Sequence, residues 1–198
     1  MRIEKEVVVE YTIEKSKFIA YLLPCESNEM FRNKLNELRK QYYDCSHICS
    51  AYIINNNNHY QDDGEPSGTA GMPILKVLQA HKLNDCACLV VRYFGGIKLG
   101  KSGLSKAYSK ATSLAIEKGE LLEEIEVYKF KGTCDYSLIN QLQKILEKQS
   151  VDYELNYDSQ INFIFYLKED NNPSINNLLK QDLKPIGKEI IFKKSKSV

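Results

Sequence analysis

The chain has 198 residues, enough for one large or two small domains with a true hydrophobic core. Its 43% hydrophobic and 27% charged residues are those of a folded globular protein, and 13 Tyr, 7 Phe and 0 Trp make it tyrosine-heavy. The 27 basic and 26 acidic residues leave a net charge of +1, which excludes a molecule-wide pull on nucleic acid or membrane and leaves only local ones.

The opening MRIEKEVVVEY has neither the apolar stretch nor the small-residue cleavage site of a secretory leader. The longest apolar run, residues 86–91, is far short of the roughly 20 residues that span a bilayer. The expectation is a cytoplasmic protein without membrane contact, its 6 Cys held as reduced thiols.

Residues 6–13 and 17–23 alternate apolar and polar, which predicts a hairpin turning at 14–16. Ser27 is placed to cap a helix over 28–41, with Phe31, Leu35 and Leu38 along one face. A strand over 46–54 follows, and the polar tract 55–58 reads as loop. Pro73 suits the first turn of a second helix, in which Ile74, Val77 and Leu78 share a face. Residues 86–94 are apolar except for Arg92, which predicts a strand buried on both faces at the centre of a sheet. Leu104, Ala107, Tyr108, Ala111, Leu114 and Ala115 then mark one face of a long helix.

An acidic stretch, Glu117, Glu120, Glu123, Glu124 and Glu126, places a domain boundary that divides the chain into 1–120 and 121–198. The second part reads as strand 125–133, helix 136–148, strands 151–157 and 160–167, helix 173–181 and strand 186–192. This is the βαββαβ order of a ferredoxin-like unit. The basic end with Lys193, Lys194 and Lys196 reads as a frayed tail.

Two segments carry the chemistry. The first, DDGEPSGTAGMP at 62–73, crowds Asp62, Asp63 and Glu65 together with Gly64, Pro66, Ser67, Gly68 and Thr69, a density suited to a fixed turn approached closely by another backbone. Its acids are candidates to bind a hard cation, to act with His47 as acid and base, or to clamp Arg92 and nearby lysines. The structural alternative is a helix-starting turn capped by Ser67 or Thr69, its acids complementing the helix dipole.

The second, residues 92–106, contains GGIKLGKS, which fits the phosphate-loop pattern of nucleotide triphosphatases through Gly95, Gly100, Lys101 and Ser102. Such an enzyme needs further parallel strands downstream, one ending in a metal-binding Asp, and the sequence offers none. An anion site remains, because Lys98 and Lys101 fall just before a helix start, where the dipole disfavours lysine unless an anion is bound. Between residues 76 and 110 the basic residues Lys76, Lys82, Arg92, Lys98, Lys101, Lys106 and Lys110 face only Asp85. Phosphates of RNA or an acidic protein surface suit this segment, the alternative being lysines that solvate a helix face. The anion-binding candidates are Arg92, Gly95, Gly96, Lys98, Gly100, Lys101, Ser102 and Lys106. Cys45, His47 and Cys49 alternate on a predicted strand, as do Cys86 and Cys88, but without the spacing of a zinc knuckle. No metal or cofactor is expected.

DDGEPSGTAGMPIL followed by VVRYFGGIKLGKSGLSKAY resembles the signature of the IMPACT family in its bacterial YigZ-like branch, supported by residues 17–19 and the strand 47–52. Where the family usually continues Gly-Thr-Gly-Gly-Leu, this chain has Gly100, Lys101, Ser102, Gly103 and Leu104, and that departure creates the phosphate-loop match. The resemblance implies an α+β fold in two parts. The N-terminal domain would be similar to the second domain of a small-subunit ribosomal protein, a mixed sheet with helices on one face. The C-terminal domain would resemble a terminal domain of elongation factor G. It also implies translation control, through RNA, the ribosome or a translation-associated protein. The residues themselves leave open a metal-assisted hydrolase acting on an anionic small molecule or peptide through Asp62, Asp63, Glu65 and His47.

Overall fold

The protein is described by a computed structural model over residues 1–194. The described residues form two compact units, residues 1–123 with 194, and 124–193.

In the first unit β1 (Arg2–Ile3) precedes the hairpin of β2 (Val7–Ile13) and β3 (Ser16–Pro24). Its turn places Glu14 and Lys15 at φ 46° and 61°, the left-handed geometry that matches strand twist in a two-residue hairpin. Helix α1 (Asn28–Gln41) starts as its sequence predicts, the Ser27 hydroxyl accepting the Met30 N–H at 3.2 Å. Strands β4 (His47–Ile54) and β5 (Asn57–Gln61), helix α2 (Gly71–Ala80), strand β6 (Cys86–Tyr93) and helix α3 (Gly100–Lys118) follow. The polar tract is shorter than expected. Asn55 and Asn56 alone make the turn, both with positive φ, and Asn57 and Asn58 already pair with Ile54 and Ile53 in an edge strand whose exposed face needs no apolar residue.

The strand order is β2-β3-β6-β4-β5 and every pairing is antiparallel, with β6 at the centre as its apolar run predicts. This corrects the expectation of a mixed sheet with helices on one face. Phe18, Ala20 and Leu22 of β3 and Cys86, Cys88 and Val90 of β6 pack with Ile74 and Leu78 of α2 and with Leu104, Ala107 and Tyr108 of α3. Their alternates, Ile19, Tyr21, Ala87, Leu89 and Val91, pack with Phe31, Leu35 and Leu38 of α1. The cause is the composition of β6 itself: a strand with no polar face has to be covered on both sides. With α1 on one face and α2 and α3 on the other, both apolar rows are removed from water.

Strand β7 (Leu121–Cys134) begins within the first unit, where Leu121 and Leu122 pair with β1, and from residue 124 on it is the base of the second. A 3₁₀ turn at Tyr136–Leu138 leads into α4 (Ile139–Gln149), then β8 (Asp152–Tyr157), β9 (Ile161–Leu167), α5 (Pro173–Leu179) and β10 (Gly187–Lys194). The strands lie in the order β10-β7-β9-β8. Phe130, Phe163 and Phe165 form its core with Leu142, Leu146 and Ile175, the rings of Phe130 and Phe165 stacking at 4.8 Å. Lys193 and Lys194, expected in a frayed tail, belong to β10, and Lys194 reaches Glu120 at 2.6 Å. Lys196 lies outside the described residues.

Candidate functional site

Arg92 is the one charged residue on the central strand, and it sits between Phe18 of β3 and His47 of β4 in the cross-strand register. Its side chain is only 6% exposed. Burying a guanidinium requires a counter-charge, and Glu65, itself 4% exposed, supplies it by direct contact with Nη1. The cation also lies 5.5 Å from the centre of the Phe18 ring and 5.6 Å from that of Phe94. Tyr108 donates its hydroxyl to the same Glu65 oxygen at 2.9 Å, and the Cys49 thiol lies 3.2 Å from that hydroxyl. Burial, with the Cys49 thiol and the Glu65 carboxylate alongside, pushes the Tyr108 hydroxyl well up, so it stays a donor. Desolvation likewise raises the Cys49 thiol, which makes it a packing group and not a nucleophile. One group remains unsatisfied: the buried Nε of Arg92 has no hydrogen-bond partner.

The other acids of the turn serve the backbone. Asp62 accepts the N–H of Gly68 at 2.8 Å through Oδ2, and those of Ala70 and Gly71 at 3.0 and 2.9 Å through Oδ1. Residue 70, at the N-cap of α2, is alanine and caps nothing, so a carboxylate eight residues earlier takes the role expected of Ser67 or Thr69. Thr69 Oγ1 instead donates to Pro66 O at 2.6 Å. Asp63 accepts the Ile48 N–H at 2.7 Å and lies 3.6 Å from Arg39, while its carbonyl faces His47 Nδ1 at 2.7 Å. Of the four candidate catalytic residues, Asp63 and His47 meet only through the Asp63 backbone carbonyl, while Asp62 holds backbone N–H groups and Glu65 holds Arg92. Among the described residues no group of three or more His, Cys, Asp and Glu is arranged to hold a metal ion. Cys45 and Cys49 do not share a face either. β4 begins only at His47, and Cys45 packs on the α1 side while Cys49 packs on the α2 side.

The two glycine-rich segments meet. A cleft of about 560 Å³ is lined by Ser46 and His47, by Glu65 and Pro66 of the acidic turn, and by Arg92, Phe94, Lys98, Leu99, Gly100, Lys101 and Leu104. Gly95, Gly96, Ser102 and Lys106 are not on its wall; the first two shape the loop. A Cβ on Gly95 would stand 2.0 Å from the backbone of Lys15, so the loop rests on the β2–β3 turn through a residue that has to be glycine. Gly96 and Gly100 hold φ of 84° and 70°. The structure moves Lys101 from just before the helix into its first turn, because Gly100 already opens α3. That helix start has no side-chain cap and no acid in its first turn. Lys98 and Lys101 are exposed and, among the described residues, unpaired. GGIKLGKS thus joins a strand of an antiparallel sheet to a helix, whereas the phosphate-loop reading needs parallel strands. Sequence reasoning marked Tyr108 only as a core position and passed over Phe94. The signal for Tyr108 was a hydroxyl on an otherwise apolar helix face, which needs a partner when buried.

A family model described as the Impact N-terminal domain matches residues 14–116, which include the whole of this site. The chain belongs to the IMPACT family. The IMPACT family member YvyE of Bacillus subtilis is 38% identical over 164 residues, 81% of this chain and 76% of that one. The IMPACT family member YigZ of Escherichia coli is 31% identical over 145 residues, 71% of each chain, which bears out the resemblance read from the two motifs. A crystal structure of a hypothetical protein superposes with a TM-score of 0.60 at 24% identity, covering 93% of this chain and 96% of that chain, a likeness of fold alone.

Proposed function

We propose that this chain is a translation-associated regulatory protein whose cleft takes a phosphate group of RNA, free or on the ribosome. The observation that carries the reading is a cleft that brings Arg92 together with two unpaired lysines and the uncapped start of a 19-residue helix. An oxyanion there would offset the repulsion of Lys98 and Lys101 by the helix dipole, while Glu65 neutralises Arg92. Phe94, 49% exposed at the same wall, gives a base a face to stack on. Asp62 and Asp63 keep the turn in shape beneath the basic loop.

Within this reading residues 1–120 form the IMPACT-type domain and 121–198 a second domain. The order β10-β7-β9-β8 supports a ferredoxin-like description of that second domain, with the likeness to a terminal domain of elongation factor G that the family implies. Its place of action would be the cytoplasm. Among the described residues no helix is long and apolar enough to cross a membrane.

Salt-titrated binding to single-stranded RNA and to ribosomes tests the proposal. The Lys98→Ala/Lys101→Ala variant should bind more weakly and lose about one to two from the slope of log K against log salt. Unchanged affinity and slope would overturn it.

A further inference from the structure

A second hollow of about 510 Å³ lies between α2 and α3, lined by Gly68, Met72, Pro73 and Lys76 on one side and by Ser105, Lys106, Ser109, Lys110 and Ser113 on the other. Its charged residues are Lys76, Lys106 and Lys110; no acid lines it. All three lysines are exposed and, among the described residues, without an ion pair. Several lysines elsewhere do find carboxylates: Lys5, Lys17, Lys34, Lys129, Lys188 and Lys194 are each within 3.4 Å of one. In a molecule of net charge +1, unpaired lysines gathered along one hollow are a local electrostatic feature and not a consequence of composition. Lys106, which the sequence assigns to the glycine loop's anion site, belongs here.

Helix α3 connects this hollow to the cleft. Lys101 faces the cleft and Lys110 the hollow, about 13 Å apart along the axis. The acidic turn separates the two, with Pro66 on the cleft and Gly68 on the hollow. One phosphate group cannot bridge that length, whereas a chain of linked phosphates can.

We infer that the α2–α3 hollow is a second phosphate subsite, and that the ligand is a single-stranded RNA of several nucleotides running along α3 from the cleft past Gly68. This rests on the phosphate-cleft reading above. RNA fits better than an acidic protein segment because the cleft end offers the exposed Phe94 ring for a base, and the Ser109 and Ser113 hydroxyls line the hollow among the lysines as donors to phosphate oxygens.

The test compares a dinucleotide with an oligouridylate of about ten nucleotides, using the full chain, Lys76→Ala/Lys110→Ala and Lys98→Ala/Lys101→Ala, with circular dichroism to check folding. The longer RNA should bind the natural chain more tightly than the dinucleotide. Lys76→Ala/Lys110→Ala should lose about tenfold of affinity for the longer RNA while binding the dinucleotide as before. Lys98→Ala/Lys101→Ala should weaken both. If Lys76→Ala/Lys110→Ala binds the longer RNA like the natural chain while the cleft variant is impaired, the second subsite is wrong and the cleft stands. If the natural chain binds neither RNA, the cleft reading falls and this inference with it. Equal displacement by polyglutamate would overturn the assignment to RNA.

Discussion

At the scale of single residues the molecule turns on a buried cation. Glu65 and Arg92 are both nearly inaccessible, so removing either charge strands the other in a low-dielectric site. Glu65→Gln, which keeps the shape, should lower unfolding free energy by about 3 kcal/mol in urea melts, and the double change Glu65→Leu with Arg92→Met should recover much of that loss. A Glu65→Gln protein as stable as the natural one would mean that Arg92 is not neutralised by Glu65. The sequence displayed both partners, Arg92 as the single break in an apolar run and Glu65 as one of three crowded acids. It offered a clamp on Arg92 as one of three roles for those acids and could not say which acid makes it, because 27 residues separate Glu65 from Arg92 and contact depends on how the turn folds back. Tyr108 escaped for the opposite reason: periodicity placed it correctly in the core and said nothing of its hydroxyl.

At the scale of elements, boundaries followed from local chemistry and fastenings did not. The span of α1 and its Ser27 cap were legible because cap and helix are adjacent in sequence. The start of α2 was not, because its capping group, Asp62, is remote and the nearer Ser67 and Thr69 are plausible substitutes by type. Asp62→Ala should cost about 3 kcal/mol, since it frees three backbone N–H groups from a charged acceptor. Asp62→Asn should cost less. Hydrogen exchange at Ala70 and Gly71 should quicken first, and uniform exchange across α2 would count against this capping role.

Over the whole molecule, three hydrophobic clusters lie in two units, one on each face of the first unit's sheet and one in the second, and the cysteines report on both units. Burial pushes the thiols of Cys86 and Cys88 up to about 12, Cys86 also feeling the Cys88 thiol beside it, and raises that of Cys134 in the second unit. At pH 8 the thiolate of Cys88 is then about one part in ten thousand, so native protein should be alkylated at the half-buried Cys45 well before the others. In a urea series, Cys134 and Cys88 should lose protection at different midpoints if the cores open separately; coincident midpoints would show one cooperative unit. The wholly apolar β6 announced coverage on both sides. The resemblance pointed to helices on one face, and where the two readings disagreed the physical constraint on the strand was the better guide.

The contact of Gly95 with the Lys15 backbone has a practical side. The two-residue turn at Glu14 and Lys15 is the kind of exposed, polar corner normally chosen for inserting a tag or joining new termini. Here it is the footing of the glycine loop. Lengthening it would lift the loop off its support some 80 residues along the chain and slacken the cleft, although the corner holds none of the cleft's own side chains. An engineer who wants a label on this protein should leave that corner alone, and the turn at Asn55 and Asn56 as well, whose backbone N–H groups are held by Asp85 and Asn84.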